Sequence, residues 1–172
     1  MIIIKYIILM LLLLSSSYIG ILVSKKYQTR VNELKEIKNL LAIFVTKIKL
    51  TYEPIPQIFE ELGNKKNTNA INIINLFKTA ASKMKEQSAG IAWLNALEKT
   101  STNLKKEDIE ILQGLSTLLG KVDLEGQINE IELVDHFLDT QIKKAEEENN
   151  KYKKMYKVLG ITTGLAVVII LI

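Results

Sequence analysis

One histidine stands in the 172-residue chain, His136, with Asp135 and Asp139 close by. An imidazole beside carboxylates can ligate a metal or take up a proton. A metal centre needs several such donors, however, and a general base needs a nucleophile within reach. The chain has no cysteine, which excludes disulfides, thiolate metal clusters and thiol catalysis. His136 therefore reads as a surface residue. The acidic run Glu146–Glu148 reads as a solvated helix face, because exposed carboxylates hold cations weakly. Gly114 with Gly120-Lys121-Val122 imitates a phosphate loop. The two glycines are one residue too far apart, Val122 stands where a hydroxyl is required, and the segment follows no strand. No catalytic residue, cofactor, metal site or small-molecule substrate is expected, and the protein does not read as an enzyme.

Three features could bind rather than react. The loop Tyr52, Glu53, Pro54, Ile55, Pro56 is rigid, extended and aromatic, and could present a surface to a partner. Gly160 and Gly164 form a small-xxx-small pair that would let another helix approach closely within a membrane. Trp93, the single tryptophan, reads as an anchor of the core.

The elements that position these features follow from where charge is missing. Tyr6–Val23 is an uncharged run of 18 residues, about 27 Å as a helix against a hydrocarbon core of about 30 Å. Val158–Ile172 is uncharged over 15 residues, about 22 Å, and reaches across if Lys157 snorkels. Each is expected to span the membrane. Ser15-Ser16-Ser17 resembles a signal-peptide cleavage site, but the apolar run resumes at Tyr18 and stops only at Lys25-Lys26, so the segment is expected to stay as an anchor. Lys25, Lys26 and Arg30 follow the first span, and Lys151, Lys153, Lys154 and Lys157 precede the second. Both flanks place the middle of the chain in the cytoplasm and both termini outside. A cleaved leader would instead put a tethered helical domain outside the cell. Between the spans 22 Lys+Arg face 19 Asp+Glu, a mixture with no basic stripe for nucleic acid.

The middle is helical throughout. Val31, Leu34, Ile37, Leu40, Leu41, Phe44, Val45 and Ile48 recur at helical spacing, on a helix expected to continue from the first span to Thr51, where Pro54 and Pro56 stop it. Further helices are expected over 57–62, closed by Gly63; over 70–85, burying Ile71, Ile74, Phe77, Ala81 and Met84; over 91–97, burying Ile91, Leu94 and Leu97; and over 105–119, capped by Asn103 and ended by Gly120. Asp123 caps a last helix that buries Leu124, Ile128, Ile131, Val134, Leu138 and Ile142. The expected fold is all-α: a compact bundle of about six helices flanked by two transmembrane helices. Its parts are a 1–24 transmembrane helix, a 25–142 cytoplasmic bundle, a 143–157 polar juxtamembrane stalk and a 158–172 transmembrane helix. The first and last helices should lie side by side, antiparallel.

The stretches Leu34-Lys-Glu-Ile-Lys-Asn-Leu-Leu41, Ile48 through Pro54-Ile-Pro56 to Phe59, Leu119-Gly-Lys-Val-Asp123 with Gln127, and Tyr156-Lys-Val-Leu-Gly160 before an apolar tail occur in an order that resembles the stage III sporulation protein AB family of endospore-forming bacteria. The likeness covers essentially the whole chain. Lys47 and Leu50 depart from the acidic residue and the aromatic that the family pattern implies there. The resemblance implies membership in an eight-protein, secretion-system-like complex in the mother cell membrane facing the forespore. It implies likeness to the inner-membrane platform proteins of type II secretion. It also implies partners among the other proteins of the same operon, the cytoplasmic ATPase stage III sporulation protein AA above all. A passive scaffold is the competing reading.

Overall fold

The computed structural model describes residues 2–66, 68–119 and 124–171. Among the described residues every regular element is helical: α1 (Ile2–Thr51), α2 (Ile55–Leu62), α3 (Ile71–Lys83), α4 (Ala89–Lys99), α5 (Lys106–Gly114), a 3₁₀ turn (Leu115–Thr117) and α6 (Leu124–Leu171). The chain divides into two compact units, Met1–Thr29 with Lys144–Ile172, and Arg30–Lys143.

Arg30–Lys143 is built round four rings. Phe44 of α1, Phe59 of α2, Phe77 of α3 and Trp93 of α4 are all buried. Phe59 sits edge-on to Phe44 at 5.4 Å and to Trp93 at 5.8 Å, and Phe77 sits edge-on to Trp93 at 5.4 Å. Such pairs prefer this geometry because the positive ring edge meets the negative face. The Trp93 indole N–H donates to the Leu112 carbonyl at 2.6 Å, which removes the cost of burying a polar group. Leu34, Ile37, Leu40, Leu41 and Ile48 of α1, with Ile128, Ile131, Val134, Leu138 and Ile142 of α6, complete the core as the periodicity predicts.

Four local expectations are corrected. Ile91 and Leu94 are exposed, and α4 instead buries Gly90, Ala92, Trp93, Ala96 and Leu97. The indole needs the interior more than two aliphatics do, and small neighbours let α4 lie close to the rest of the unit. Ile71 is exposed at the start of α3, while Ile73, Leu76 and Ala80 join the buried face. Asn103 caps no helix. Its backbone N–H and carboxamide donate to Glu33 at 2.7 and 3.3 Å, and the Lys105 amide at the start of α5 is taken by Asp108 at 2.8 Å. Lastly, α2 begins at Ile55 rather than at 57, with Pro54 at its cap position and Pro56 in its first turn. The expected roles of Gly120 and Asp123 lie outside the described residues. Gly63 does close α2, and a methyl group there would stand 2.6 Å from the Lys78 backbone of α3, so the α2–α3 approach requires glycine.

In the other unit, α1 and α6 run antiparallel as neighbours. Tyr27 packs on Tyr152 and Tyr156, with ring centroids 5.3 and 5.8 Å away. Towards the chain ends Gly20 meets Gly160, and Ser16 donates to the Gly160 carbonyl at 2.8 Å. Two helices are long and apolar enough to cross a membrane, with mean hydropathy of 2.3 and 1.7 over their most apolar stretches. Their apolar side chains, Ile7, Leu11, Tyr18, Ile19, Ile161 and Ile169 among them, face outward. An apolar exterior on a hairpin of this length suits lipid rather than water.

Candidate functional site

The loop after α1 is positioned by charge and by an unusual backbone. Tyr52 takes φ = 52°, a left-handed conformation that costs an L-residue about 1–2 kcal/mol. It turns the chain sharply where Pro54 would otherwise collide with a continuing helix. Lys47, on the last turns of α1, reaches Glu53 in the loop at 3.2 Å and Glu61 on α2. Its hydrogen bonds to Glu61 and Glu53 hold the ammonium above the usual lysine value. The lysine that departs from the family pattern thus braces the turn. Tyr52, Pro54 and Pro56 are exposed on it, Glu53 and Ile55 are half-buried, and Leu50 is exposed beside them. The five residues singled out in the sequence therefore form one fixed elbow with an apolar, aromatic outer surface.

At the helix crossing, a methyl group on Gly20 would lie 2.7 Å from the Tyr156 carbonyl oxygen and 2.9 Å from Gly160 Cα. One on Gly160 would lie 2.9 Å from Gly20 Cα and 3.0 Å from the Ser16 carbonyl oxygen. The backbones touch, and only glycine on both sides permits it. Gly164 lies one turn further along α6, where an added methyl would meet Ser16 and Leu13 at 3.2 and 3.4 Å. The glycines expected to receive another helix receive the chain's own first helix. Sequence reading had Gly160 and Gly164 but missed their counterpart, because Gly20 lies in no repeat of its own.

Sequence reading also missed two buried polar centres in Arg30–Lys143. Arg30 binds Asp108 at two points, Nε–Oδ2 at 2.8 Å and Nη2–Oδ1 at 2.9 Å, and the side chains are 4% and 0% exposed. Arg30, one of the cations expected to orient the first span, has its charge neutralised by Asp108. Glu33, fully buried, accepts from Asn72 and Asn103. Helical spacing places Arg30 and Glu33 on the inward face of α1, but nothing in the sequence pairs them with residues 39 to 78 positions away.

His136 is exposed, and its neighbours Asp135 and Asp139 both bind Lys38, at 3.0 and 2.6 Å. Among the described residues no group of three or more acidic, histidine or cysteine side chains is placed to hold a metal ion.

The sequence model described as "Stage III sporulation protein AB" matches residues 5–172. The chain is 24% identical to the Stage III sporulation protein AB of Bacillus subtilis (strain 168) over 162 residues, which covers 93% of this chain and 94% of that one. A solved structure of a Stage III sporulation protein AB superposes with a TM-score of 0.61 at 21% identity, over 70% of this chain and 96% of that chain. That likeness carries the fold.

Proposed function

The chain belongs to the stage III sporulation protein AB family, and from that premise we propose that it is a membrane platform component of a sporulation-specific channel between mother cell and forespore. In this reading the channel resembles a secretion system. Both apolar helices span the mother cell membrane around the forespore, and Arg30–Lys143 lies in the cytoplasm. The elbow Tyr52–Pro56 docks the cytoplasmic ATPase, stage III sporulation protein AA.

The observation that carries the docking assignment is the elbow itself. A strained, exposed tyrosine and two exposed prolines are held in place by Lys47, Glu53 and Glu61. Left-handed backbone at a bulky residue persists only where its surroundings enforce it, and it concentrates where proteins act on partners. The elbow also ends α1, an unbroken helix that contains the first apolar run. In this reading a push from the ATPase is delivered at the end of that helix. A passive scaffold would need neither the strain nor the brace.

The test is capture of the ATPase by the full chain in detergent and in lipid nanodiscs. The wild type captures it in both. A Y52A/P54A variant with unchanged helicity loses at least tenfold in affinity. Failure of the wild type in both formats would sink the docking assignment.

A further inference from the structure

Where α1 and α6 leave their apolar runs, the chain is rich in basic residues. Residues 24–30 and 149–157 hold Lys25, Lys26, Arg30, Lys151, Lys153, Lys154 and Lys157 and no acidic residue. Arg30 is matched by Asp108; the others are not drawn into that pair. Between the two helices at this level lies a groove of about 410 Å³, lined by Gln28, Asn149, Asn150, Lys153, Lys154 and Lys157. It is large against the roughly 30 Å³ of a single water. Its floor is fixed: the Gln28 carboxamide oxygen accepts from Lys153 at 2.9 Å and from Asn149 at 3.2 Å. Lys154 and Lys157 are exposed at its rim.

The groove's depth is set by its neighbours. Lys157 directly precedes the uncharged run from Val158, and Gln28 follows Val23 by little more than one helical turn. The Tyr27–Tyr152–Tyr156 stack stands at the same level, and tyrosine is enriched where headgroups meet hydrocarbon. A basic pocket between two membrane helices, at headgroup depth and on the lysine-rich side, is complementary to one kind of ligand in particular.

We propose that this groove holds the phosphate head of an anionic phospholipid of the cytoplasmic leaflet, with Lys153, Lys154 and Lys157 as its cationic contacts. The inference rests on reading both apolar helices as membrane spans. Its consequence is that the lipid head sits on α6 just inside the membrane surface, at the level where the tyrosine stack packs α1 against α6.

The full chain, purified in a neutral detergent, is titrated with phosphatidylglycerol or phosphatidylcholine, and retained lipid is counted by native mass spectrometry. Phosphatidylglycerol is retained and phosphatidylcholine is not. K153Q/K154Q weakens retention by roughly 30-fold, the effect of two lysines at about 1 kcal/mol each. K153R/K154R retains the lipid, and K144Q/K151Q, which removes equal charge outside the groove, changes it by less than about twofold. Equal losses in K153Q/K154Q and K144Q/K151Q would overturn the site in favour of diffuse attraction, as would equal retention of the two lipids or displacement by millimolar inorganic phosphate. Alkaline carbonate extraction of cell membranes separates the two readings. A chain that stays in the membrane but fails the lipid tests overturns the lipid site alone, whereas a chain released by carbonate overturns the spanning reading and the lipid site with it.

Discussion

Arg30 on α1 and Asp108 on α5 face each other as a two-point ion pair sealed from solvent, at 2.8 and 2.9 Å. The same carboxylate accepts the Lys105 amide at the start of α5, so one side chain neutralises a buried cation and satisfies a helix end.

Breaking the pair from one side leaves a buried charge without its counterpart. D108A should lower the stability of the full chain by roughly 3–5 kcal/mol. Replacing both partners, as in R30M/D108L, should cost much less than the sum of the single changes, with the unpaired Lys105 amide as the residue of the effect. Thermal loss of helicity in detergent, measured for the double-mutant cycle, reads this directly. A double variant as unstable as the summed singles would contradict it.

The Gly20–Gly160 contact makes a steric prediction. A leucine at either position must separate the helices, since even a methyl group would sit under 3 Å from backbone atoms. Because the chain has no cysteine, S16C/G164C can report the crossing. A Cβ on Gly164 would stand 3.2 Å from the Ser16 Cβ, within a few tenths of an ångström of disulfide geometry. Mild oxidation in membranes should link most of the S16C/G164C protein within one chain. Adding G20L should abolish most of that link.

Much of this architecture was legible in the residues and part was not. Leu34, Ile37, Leu40, Leu41 and Phe44 declared the buried face of α1 because strong apolar groups recur there at 3.6-residue spacing. The two apolar runs announced themselves by length. In α4 the same method puts Ile91 and Leu94 on the buried face, although Trp93, read as a core anchor, lies on another side. In an 11-residue helix with apolar residues on several sides, periodicity does not rank the faces, and the ring packing that does is tertiary. The elbow at Tyr52–Pro56 was visible from its prolines. Its brace was not, because Lys47 and Glu61 meet only once α2 has folded back.

The elbow separates stability from function. Y52G removes the side chain that suffers in the left-handed conformation, and the gain should exceed the flexibility that glycine adds to the unfolded chain. Stability should hold or rise by up to about 1 kcal/mol, while ATPase capture falls at least tenfold. A stable Y52G that binds at full strength would remove Tyr52 from the docking surface.

The Lys38–Asp135–Asp139 cluster predicts a flat pH response with a defined fall at each end. Burial works against the Lys38 charge, but hydrogen bonds to Asp139 and Asp135 outweigh it and hold the ammonium above its usual value. The hydrogen bond from Lys38 holds the Asp139 carboxyl below its usual range. A depressed carboxyl stabilises the fold above its ordinary pKa, and that contribution is lost as pH falls through the lowered value. A raised lysine stabilises below its ordinary pKa, and that contribution is lost as pH rises through the raised value. The cluster's contribution should therefore stay constant from about pH 5 to pH 9, inside the ordinary Asp and Lys values. In K38M the difference from wild type should shrink at both extremes, as thermal melts across pH would show.

The account depends above all on where the middle of the chain lies. In this cysteine-free protein, T100C and I170C can each be labelled in intact sporulating cells with a maleimide that does not cross membranes. The account predicts that I170C labels from outside, and that T100C stays protected until the membrane is opened. Labelling of T100C in intact cells would contradict it.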